Sequence, residues 1–491
     1  MALNESIFVY ISQFIISIFT IMKLYFSFKD IRFWIVFFFI IRLIGITNPP
    51  LEVAHNWRQT TVTMVARNFL EADNNILYPR IDIAGEKSGI TGMEFPILNY
   101  LIFLFSKIFG YQHWYGRLIN LLISSIGIFY FYKLVKQHFS ASISFNASII
   151  LIVSIWFQFS RKSMPDTFAM SLIIMGIYYG FNYLKNNNLK RINIQLVWYF
   201  IFVLIGVLSK LPTGYLLSLF LFLLFDKEIV MKRKLIFCFV SIVLLVPVFW
   251  WYFNWVPFLV ERFGFWHFFM GKSMFDGMHE ILHYFKDSSK KFYDTAIKFI
   301  GFFFFLVGLV YTFIKKEKKL QKIFILSFLV FCIIVLKSGF TFAQHSYYII
   351  PFVPIMALMA GYGIDQIKLN RLKNFVLIII CIEGIGNQFH DFIIHENDAQ
   401  ILTLEKTLDS FSSRKDLIVI NSGDYPTPMY FAHRKGWVTC NDSIANREYI
   451  SKVKSKGLKY IVILKRSFGS NLELPVYTRI FNNEDYAIYK P

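Results

Sequence analysis

The sequence predicts a polytopic α-helical membrane protein of about 11–12 spans, with a long first exported loop and a small C-terminal α/β domain. Three observations carry this expectation. Hydrophobic residues make up 56% of the 491-residue chain, aromatics 19% and charged residues only 17%. A soluble domain carries about a quarter charged residues and would leave much of this apolar surface in water. Apolar runs close to the ~20 residues that cross a bilayer recur up to residue 390. The basic residues fall in short clusters between those runs, as in cytoplasmic loops. The formal charge of +20 therefore does not point to nucleic acid, and a DNA or RNA partner is excluded. The lipid bilayer is the solvent this composition asks for. A disulfide scaffold is excluded as well, because Cys238, Cys332 and Cys381 sit inside apolar runs and Cys440 stands alone in the tail.

The expected spans lie at roughly 31–47, 114–135, 141–160, 164–184, 195–209, 211–226, 234–255, 294–314, 321–336, 346–364 and 373–390. Basic clusters follow alternate spans: Lys133/Lys136, Lys185/Lys190/Arg191, Lys232/Arg233/Lys234, Lys315 to Lys322, and Lys368/Arg371/Lys373. Placing these in the cytoplasm puts 48–113, 161–166, the surroundings of Lys210, 256–293, 337–345 and everything after 391 outside. Counting 95–111 as a span would invert every later loop, so this stretch reads as a helix lying in or dipping into the outer face. Residues 6–26 are a further span or an upstream extension, since Met22 opens a basic start and no small-residue cleavage site follows.

This divides the chain into a transmembrane domain, 1–390, with its first exported loop at 48–113, and an exported domain, 391–491. In the tail, LIVINSG (417–423) and KYIVIL (459–464) read as buried strands. REYISKVKSKG (447–457) reads as a helix ended by Gly457, and the last 15 residues as a hairpin around Asn482-Asn483. Nothing in the tail resembles a catalytic motif.

The first exported loop is rich in functional residue types, and a long loop of this kind usually lines a site. Asn56, Thr60, Thr63 and Arg67 recur at helical spacing opposite an apolar stripe of Val62, Val65 and Phe69, as in a helix lying in the interface. Glu52, His55 and Arg58 stand at its leading end. Glu52 follows Pro49-Pro50, which fixes the exit of the chain, and a carboxylate held beside apolar surface suits a general base. The alternative is an ordinary amphipathic surface helix with solvated charges.

The string HNWRQTTVTMVARNF, followed by EFPILNY, GRLINLL, SRKSMPDTFAM, GVLSKLPTGY and HSYYIIPFVPIMALMAGYG, resembles the bacterial protein-O-mannosyltransferase-like branch of the GT-C glycosyltransferases. That group includes the transferases that add aminoarabinose to lipid A. Each motif alone is weak, whereas the ordered set is fairly specific. The resemblance implies a membrane enzyme of GT-C type that transfers sugar from a polyprenyl-phosphate donor on the outer face of the bacterial cytoplasmic membrane. By position, the acidic residue that acts on the acceptor is Glu52, with His55 beside it. Glu94 matches the acid before the family's Pro, and Asp166 the acid at the start of a later span. Phe95 stands where the lipid A-modifying members tend to have Lys.

The chemistry asks for the same residue types. Breaking a sugar–phosphate bond needs positive charge near the leaving phosphate, and attack by a hydroxyl needs a base. Arg58, Arg67, Arg161 and Lys210 are candidate phosphate contacts, and Glu52, Glu94 and Asp166 are candidate bases. Glu52 and Asp166 are also candidate ligands of a Mg²⁺ or Mn²⁺ ion, which favours oxygen donors. His345, Tyr347 and Tyr348 are donor-site candidates or an interfacial aromatic belt. Lys210 and Arg161 could instead be snorkelling helix-end residues, and Asp166 a residue favoured by a helix dipole. Arg42, Lys337 and Glu383 lie near outward ends of spans. The acceptor is a glycan, lipid or protein hydroxyl.

Two rival classes stay open. HEILH (279–283) satisfies the H-E-x-x-H zinc-protease pattern, with only Asp276, Asp287 or Asp294 near enough in sequence to be a third ligand. A lipid-linked sugar flippase, polymerase or other transporter would also need many spans. Against it, the sequence shows no repeat symmetry, and charge concentrates in one exported loop.

Overall fold

The computed structural model describes residues 27–185, 189–265 and 271–491, with the side chains of 189–193 left out. The stretch at 6–26, a further span or an upstream extension, lies outside the described residues. The chain is a multi-pass α-helical membrane protein with a small C-terminal sheet. It divides into two compact units: a helical unit of residues 1–46, 117–248 and 269–388, and a loop-and-tail unit of 47–116, 249–268 and 389–491.

The helical unit opens with α1 (Ile31–Leu43), whose N-cap Asp30 accepts from the Arg32 backbone N–H. It continues with α2 (Tyr115–Lys136), α3 (Ala141–Val153), α4 (Pro165–Lys185) and α5 (Leu189–Ser209). Next come a 3₁₀ segment, Leu211–Phe220, and α6 (Met231–Trp250). After α7 (Met274–His283), the set is completed by α8 (Lys298–Ile314), α9 (Lys318–Ser338), α10 (Val353–Asp365) and α11 (Asn370–Gly386). Gly308 of α8 and Gly363 of α10 face each other's helix so closely that a Cβ on either would strike backbone, of Met359 and Phe304 respectively. Small residues allow such backbone approach between membrane helices.

Among the described residues, five helices are long and apolar enough to cross a membrane, or seven if each bent pair is one span. Several of the expected spans are shorter, for identifiable reasons. The run 141–160 breaks at Ser154, because Gln388 is buried against it. The Gln388 amide donates to the Val153 and Ser154 carbonyls at 3.1 Å each and accepts from the Gln158 N–H at 3.2 Å. Freed backbone groups are thus satisfied by a neighbouring segment, as a broken membrane helix requires. At 211–224 the 3₁₀ rise of ~2.0 Å per residue stretches a short segment to roughly 26 Å, close to the ~30 Å apolar core. The run at 294–314 bends by 95° before Lys298.

In the loop-and-tail unit, a helix spans Asn56–Glu71 and a second spans Ile97–Phe109. The second is 13 residues long, about 20 Å, which is too short to span. It exposes Leu104, Phe105, Ile108 and Phe109, the apolar face expected of a helix lying in an interface. The helix at 56–71 differs from its expected interfacial position: Thr60, Thr63 and Arg67 on its polar face are buried. The tail covers that face, with Thr60 Oγ1 3.1 Å from Thr427 Oγ1.

The tail sheet has the order β2-β1-β3-β5-β4, from β1 (Leu417–Ile420), β2 (Gly436–Val438), β3 (Leu458–Leu464), β4 (Thr478–Asn482) and β5 (Tyr486–Lys490). β1 lies parallel to β2 and β3, while β5 runs antiparallel to β3 and β4. The expected strands, the 447–455 helix and the final hairpin are all present. The first loop pairs onto the sheet's β2 edge: Gly436 N–H donates to the Asp82 carbonyl at 2.9 Å, and Gly85 N–H to the Gly436 carbonyl at 2.7 Å.

Candidate active site

In the loop-and-tail unit, the turn after Pro49-Pro50 closes with the Leu51 N–H on the Pro49 carbonyl at 2.7 Å. Val53 N–H donates to the Ile393 carbonyl at 2.9 Å. Glu52, held between them, is fully buried. His55 takes a left-handed φ of 57° at the start of the 56–71 helix. That region is sparsely used by residues with a Cβ, and such strain tends to cluster at functional sites.

Arg58 and Glu94 form a buried ion pair, so each neutralises the other. The segment carrying Glu94 is fixed by Trp251, whose Nε1 donates to the Met93 carbonyl at 3.0 Å and whose indole meets the Phe95 ring edge-on at 4.7 Å. Arg67 is engaged structurally. It pairs with Asp82 at 3.0 Å, donates to the Tyr430 carbonyl at 3.0 Å and lies 4.6 Å from the Tyr430 ring centroid. These contacts account for its burial without a phosphate.

In the helical unit, the turn Phe159–Met164 leads into α4. One side chain braces it. Asn120, buried on α2, directs its Nδ2 at the carbonyls of Phe159, Lys162 and Met164 at 2.9, 2.8 and 3.1 Å. Its Oδ1 accepts from Ser124 and Thr167 hydroxyls at 3.0 and 3.1 Å. Asp166 sits in the first turn of α4, 3% exposed, where the helix dipole favours a carboxylate. Lys210 Nζ is 3.4 Å from Asp166 Oδ1, and 5.4 and 5.8 Å from the ring centroids of Tyr347 and Tyr348. His345 stacks on Tyr347 at 5.2 Å, and Phe159 of the braced turn lies 6.2 Å from the Tyr347 ring. Asp166, Lys210, His345 and Tyr347 are therefore brought together.

Further cations surround the same turn. Arg42 of α1 donates to Ser160 Oγ and to the Phe38 carbonyl. Arg161 Nη2 donates to the Gly45 carbonyl at 2.7 Å, and Arg117 Nη1 to the Ile46 carbonyl at 3.2 Å. Lys162 is fully buried. Arg42, Arg161 and Lys162 thus gather at this turn, with Arg117 on the Gly45–Ile46 backbone that Arg161 also reaches and Lys210 on Asp166. So much positive charge in a low-dielectric setting strongly favours an anion. Arg117, Lys162 and Asn120 were missing from the sequence-derived candidates. An ionisable residue within an apolar run is the signal that would have found Arg117; the Asn120 brace had no signal.

The remaining candidates serve elsewhere. Glu383 accepts from the Phe299 and Ile300 N–H groups at 3.2 and 2.9 Å, capping α8. The Lys337 carbonyl accepts from the Lys272 N–H at 2.9 Å. In HEILH, Glu280 pairs with Lys272 and accepts from the Phe340 N–H at 2.7 Å, which holds its carboxyl below the usual range. His279 packs on Phe275 and His283 on Tyr284. Among the described residues, no three His, Cys, Asp or Glu side chains are placed together as in a zinc site. The Asp166 carboxylate faces Lys210 at 3.4 Å.

The fold is shared with solved structures. ArnT from Cupriavidus metallidurans bound to undecaprenyl phosphate matches with a TM-score of 0.59 at 10% identity, covering 93% of this chain and 97% of that one. The oligosaccharyltransferase of Archaeoglobus fulgidus in its apo form matches with a TM-score of 0.56 at 13% identity, over 88% of this chain and 69% of that one. The fold is that of the GT-C glycosyltransferases. A family model described as dolichyl-phosphate-mannose-protein mannosyltransferase matches residues 94–251, a stretch of the GT-C fold that contains Arg117, Asn120, Arg161, Asp166 and Lys210. No curated protein matches the sequence.

Proposed function

We propose that the chain is an inverting glycosyltransferase that moves a sugar from a polyprenyl-phosphate donor to an acceptor hydroxyl at the outer face of the bacterial cytoplasmic membrane. The observation that carries this reading is the cation cluster around the Asn120-braced turn. A polyprenyl phosphate leaving from the anomeric carbon develops negative charge, and Arg161, Lys162 and Lys210 are suited to stabilise it. His345, stacked on the buried Tyr347 beside Lys210, is suited to face a sugar or the first isoprene units. The ArnT relative is described as binding undecaprenyl phosphate, which agrees with a donor of this class.

In the reaction, the acceptor oxygen bonds to the anomeric carbon while the carbon–oxygen bond to phosphate breaks, its electron pair leaving with polyprenyl phosphate. The acceptor proton goes to a general base, a role that only the sequence resemblance gives to Glu52, with His55 beside it in sequence. One displacement inverts the anomeric centre. Glu94 acts through Arg58, which it holds, and Asp166 through Lys210. The acceptor is a glycan, lipid or protein hydroxyl.

The test offers purified protein a panel of radiolabelled polyprenyl-phosphate sugars and follows release of polyprenyl phosphate, with Mg²⁺, Mn²⁺ or EDTA as separate arms. Glu52→Gln should lose about 10²–10⁴ in rate. Lys162→Ala should weaken donor binding. Normal turnover by Glu52→Gln removes it as the base, and transport of intact donor without bond cleavage overturns the transferase reading.

A further inference from the structure

A second basic site lies in the helical unit, apart from the cluster described above. A cavity of about 720 Å³ opens where the ends of α2, α4 and the 3₁₀ segment meet the beginning of α9. Its charged lining is Lys185, Lys318, Lys319 and Lys322, with Asp226 as the carboxylate. The Asp226 carboxylate is turned onto its own loop, accepting from the Glu228 N–H at 3.0 Å.

Three of these lysines occupy the first two turns of α9. The positive end of the helix dipole disfavours cations there. The α9 N-terminus has no acidic residue in its first turn and no side-chain cap from Glu317. Lys319 leans over the Phe139 ring at 5.1 Å and reaches the His138 carbonyl at 3.3 Å. His138 Nε2 is buried without a hydrogen-bond partner. Burial, reinforced by Lys319 and Lys185, pushes this imidazole down to about 4, so it adds no charge. An anion would offset both the lysine repulsion and the uncapped helix end.

The rest of the wall is apolar. Phe181, Leu219, Phe222, Leu223, Phe225 and Ile323 line it, and Phe225 is 81% exposed. A narrow apolar slot of about 70 Å³, sharing His138, Phe181, Leu219 and Ile323, continues between Val135 and Pro354. A site for a water-soluble phosphate has no need of this greasy wall. A charged head joined to hydrocarbon does.

We propose that this cavity binds an anionic phospholipid, its phosphate among Lys185, Lys318, Lys319 and Lys322 and its acyl chains along the Phe181–Phe225 wall. The site is separate from the transferase reading and holds whether or not that reading does. Juxtamembrane lysines contribute about fivefold each to anionic lipid binding.

The experiment is native mass spectrometry of the full-length protein in detergent. It is titrated with dioleoyl phosphatidylglycerol, with dioleoyl phosphatidylethanolamine, and with glycerol phosphate alone. The wild type should retain phosphatidylglycerol preferentially. The double variant Lys319→Gln/Lys322→Gln should lose about 25-fold in apparent affinity, and Lys319→Arg/Lys322→Arg should keep it. If the glutamine pair does not fold, Lys185→Gln/Lys318→Gln at the same cavity gives the same readout. Equal retention of the two lipids, glycerol phosphate binding as tightly as the lipid, or unchanged binding in the glutamine variants would overturn the proposal.

Discussion

Replacing Asn120 tests the idea that one amide holds the turn carrying Arg161, Lys162 and Asp166. The orientation of the amide is fixed by chemistry: three carbonyls can only accept, so Nδ2 must face them. Two N–H donors serve three carbonyls, so two bonds' worth is lost in Asn120→Ala. A buried acceptor left unsatisfied costs ~1–3 kcal/mol. The Phe159 and Lys162 carbonyls keep one partner each, from the Lys162 and Met164 N–H groups at 3.2 and 2.7 Å. The cost of Asn120→Ala should therefore fall near the low end, about 2 kcal/mol in total. Asn120→Asp keeps the shape but points a buried carboxylate at carbonyl oxygens, and should cost about 3–5 kcal/mol. Thermal unfolding in detergent, followed by intrinsic fluorescence, should rank the proteins wild type, then Ala, then Asp, with steps of a few degrees. Donor turnover should fall in the same order. An Asp variant as stable as the wild type, or more stable than Ala, would refute the bracing argument.

Three further outcomes are expected. Arg67→Ala should destabilise the loop-and-tail unit by about 3 kcal/mol, because it takes the paired cation from a buried Asp82 and leaves it the neutral Asn68 amide at 2.8 Å; limited proteolysis of the tail should accelerate, and unchanged protection would count against the pairing. His433 bridges Glu405 at 2.6 Å and Glu71 at 2.8 Å. Burial opposes its charge, but those two bonds outweigh it and raise its pKa above the ordinary 6.5. Its stabilisation is then full below pH ~6.5 and lost as pH rises through the folded value, so His433→Asn should cost more at pH 6 than at pH 8.5, and equal costs would contradict the bridge. Changing both His279 and His283 to Ala should leave zinc content and donor turnover at wild-type levels; loss of both together would restore the metalloprotease alternative.

The sequence carried the architecture because burial in lipid is a demand on composition. Apolar runs, basic clusters and the period-2 strands at 417–420 and 458–464 are local signals, and each was legible. Features that depend on a distant partner were not. Ser154 lies in an unbroken apolar run, and nothing nearby announces that Gln388, some 230 residues later, accepts its broken backbone. The helix at 56–71 has an amphipathic pattern that suits an interface equally well as a unit's core, and only the tail's Thr427 and Tyr430 decide between them. The three-residue strand β2 is too short for any periodicity. Within the site, Asp166, Lys210, His345 and Tyr347 were legible as charged or aromatic residues at span ends. Arg67 had the same signature, yet its place is with Asp82.

The pairing of Asp82 and Gly85 with Gly436 has a consequence for the order in which this chain is made. The loop is synthesised ~350 residues before the strand it edges, an interval of roughly 20–70 s at ~5–20 residues per second. Throughout that time Arg67 lacks Tyr430, the polar face of the 56–71 helix lacks its cover, and the backbone at 82–85 has no strand to pair with. The tail meets the same condition from the other side: expressed alone, it would present β2 as an open edge to a second copy of itself. The loop-and-tail unit is therefore closed only once its tail sheet has been made, long after the loop that edges it.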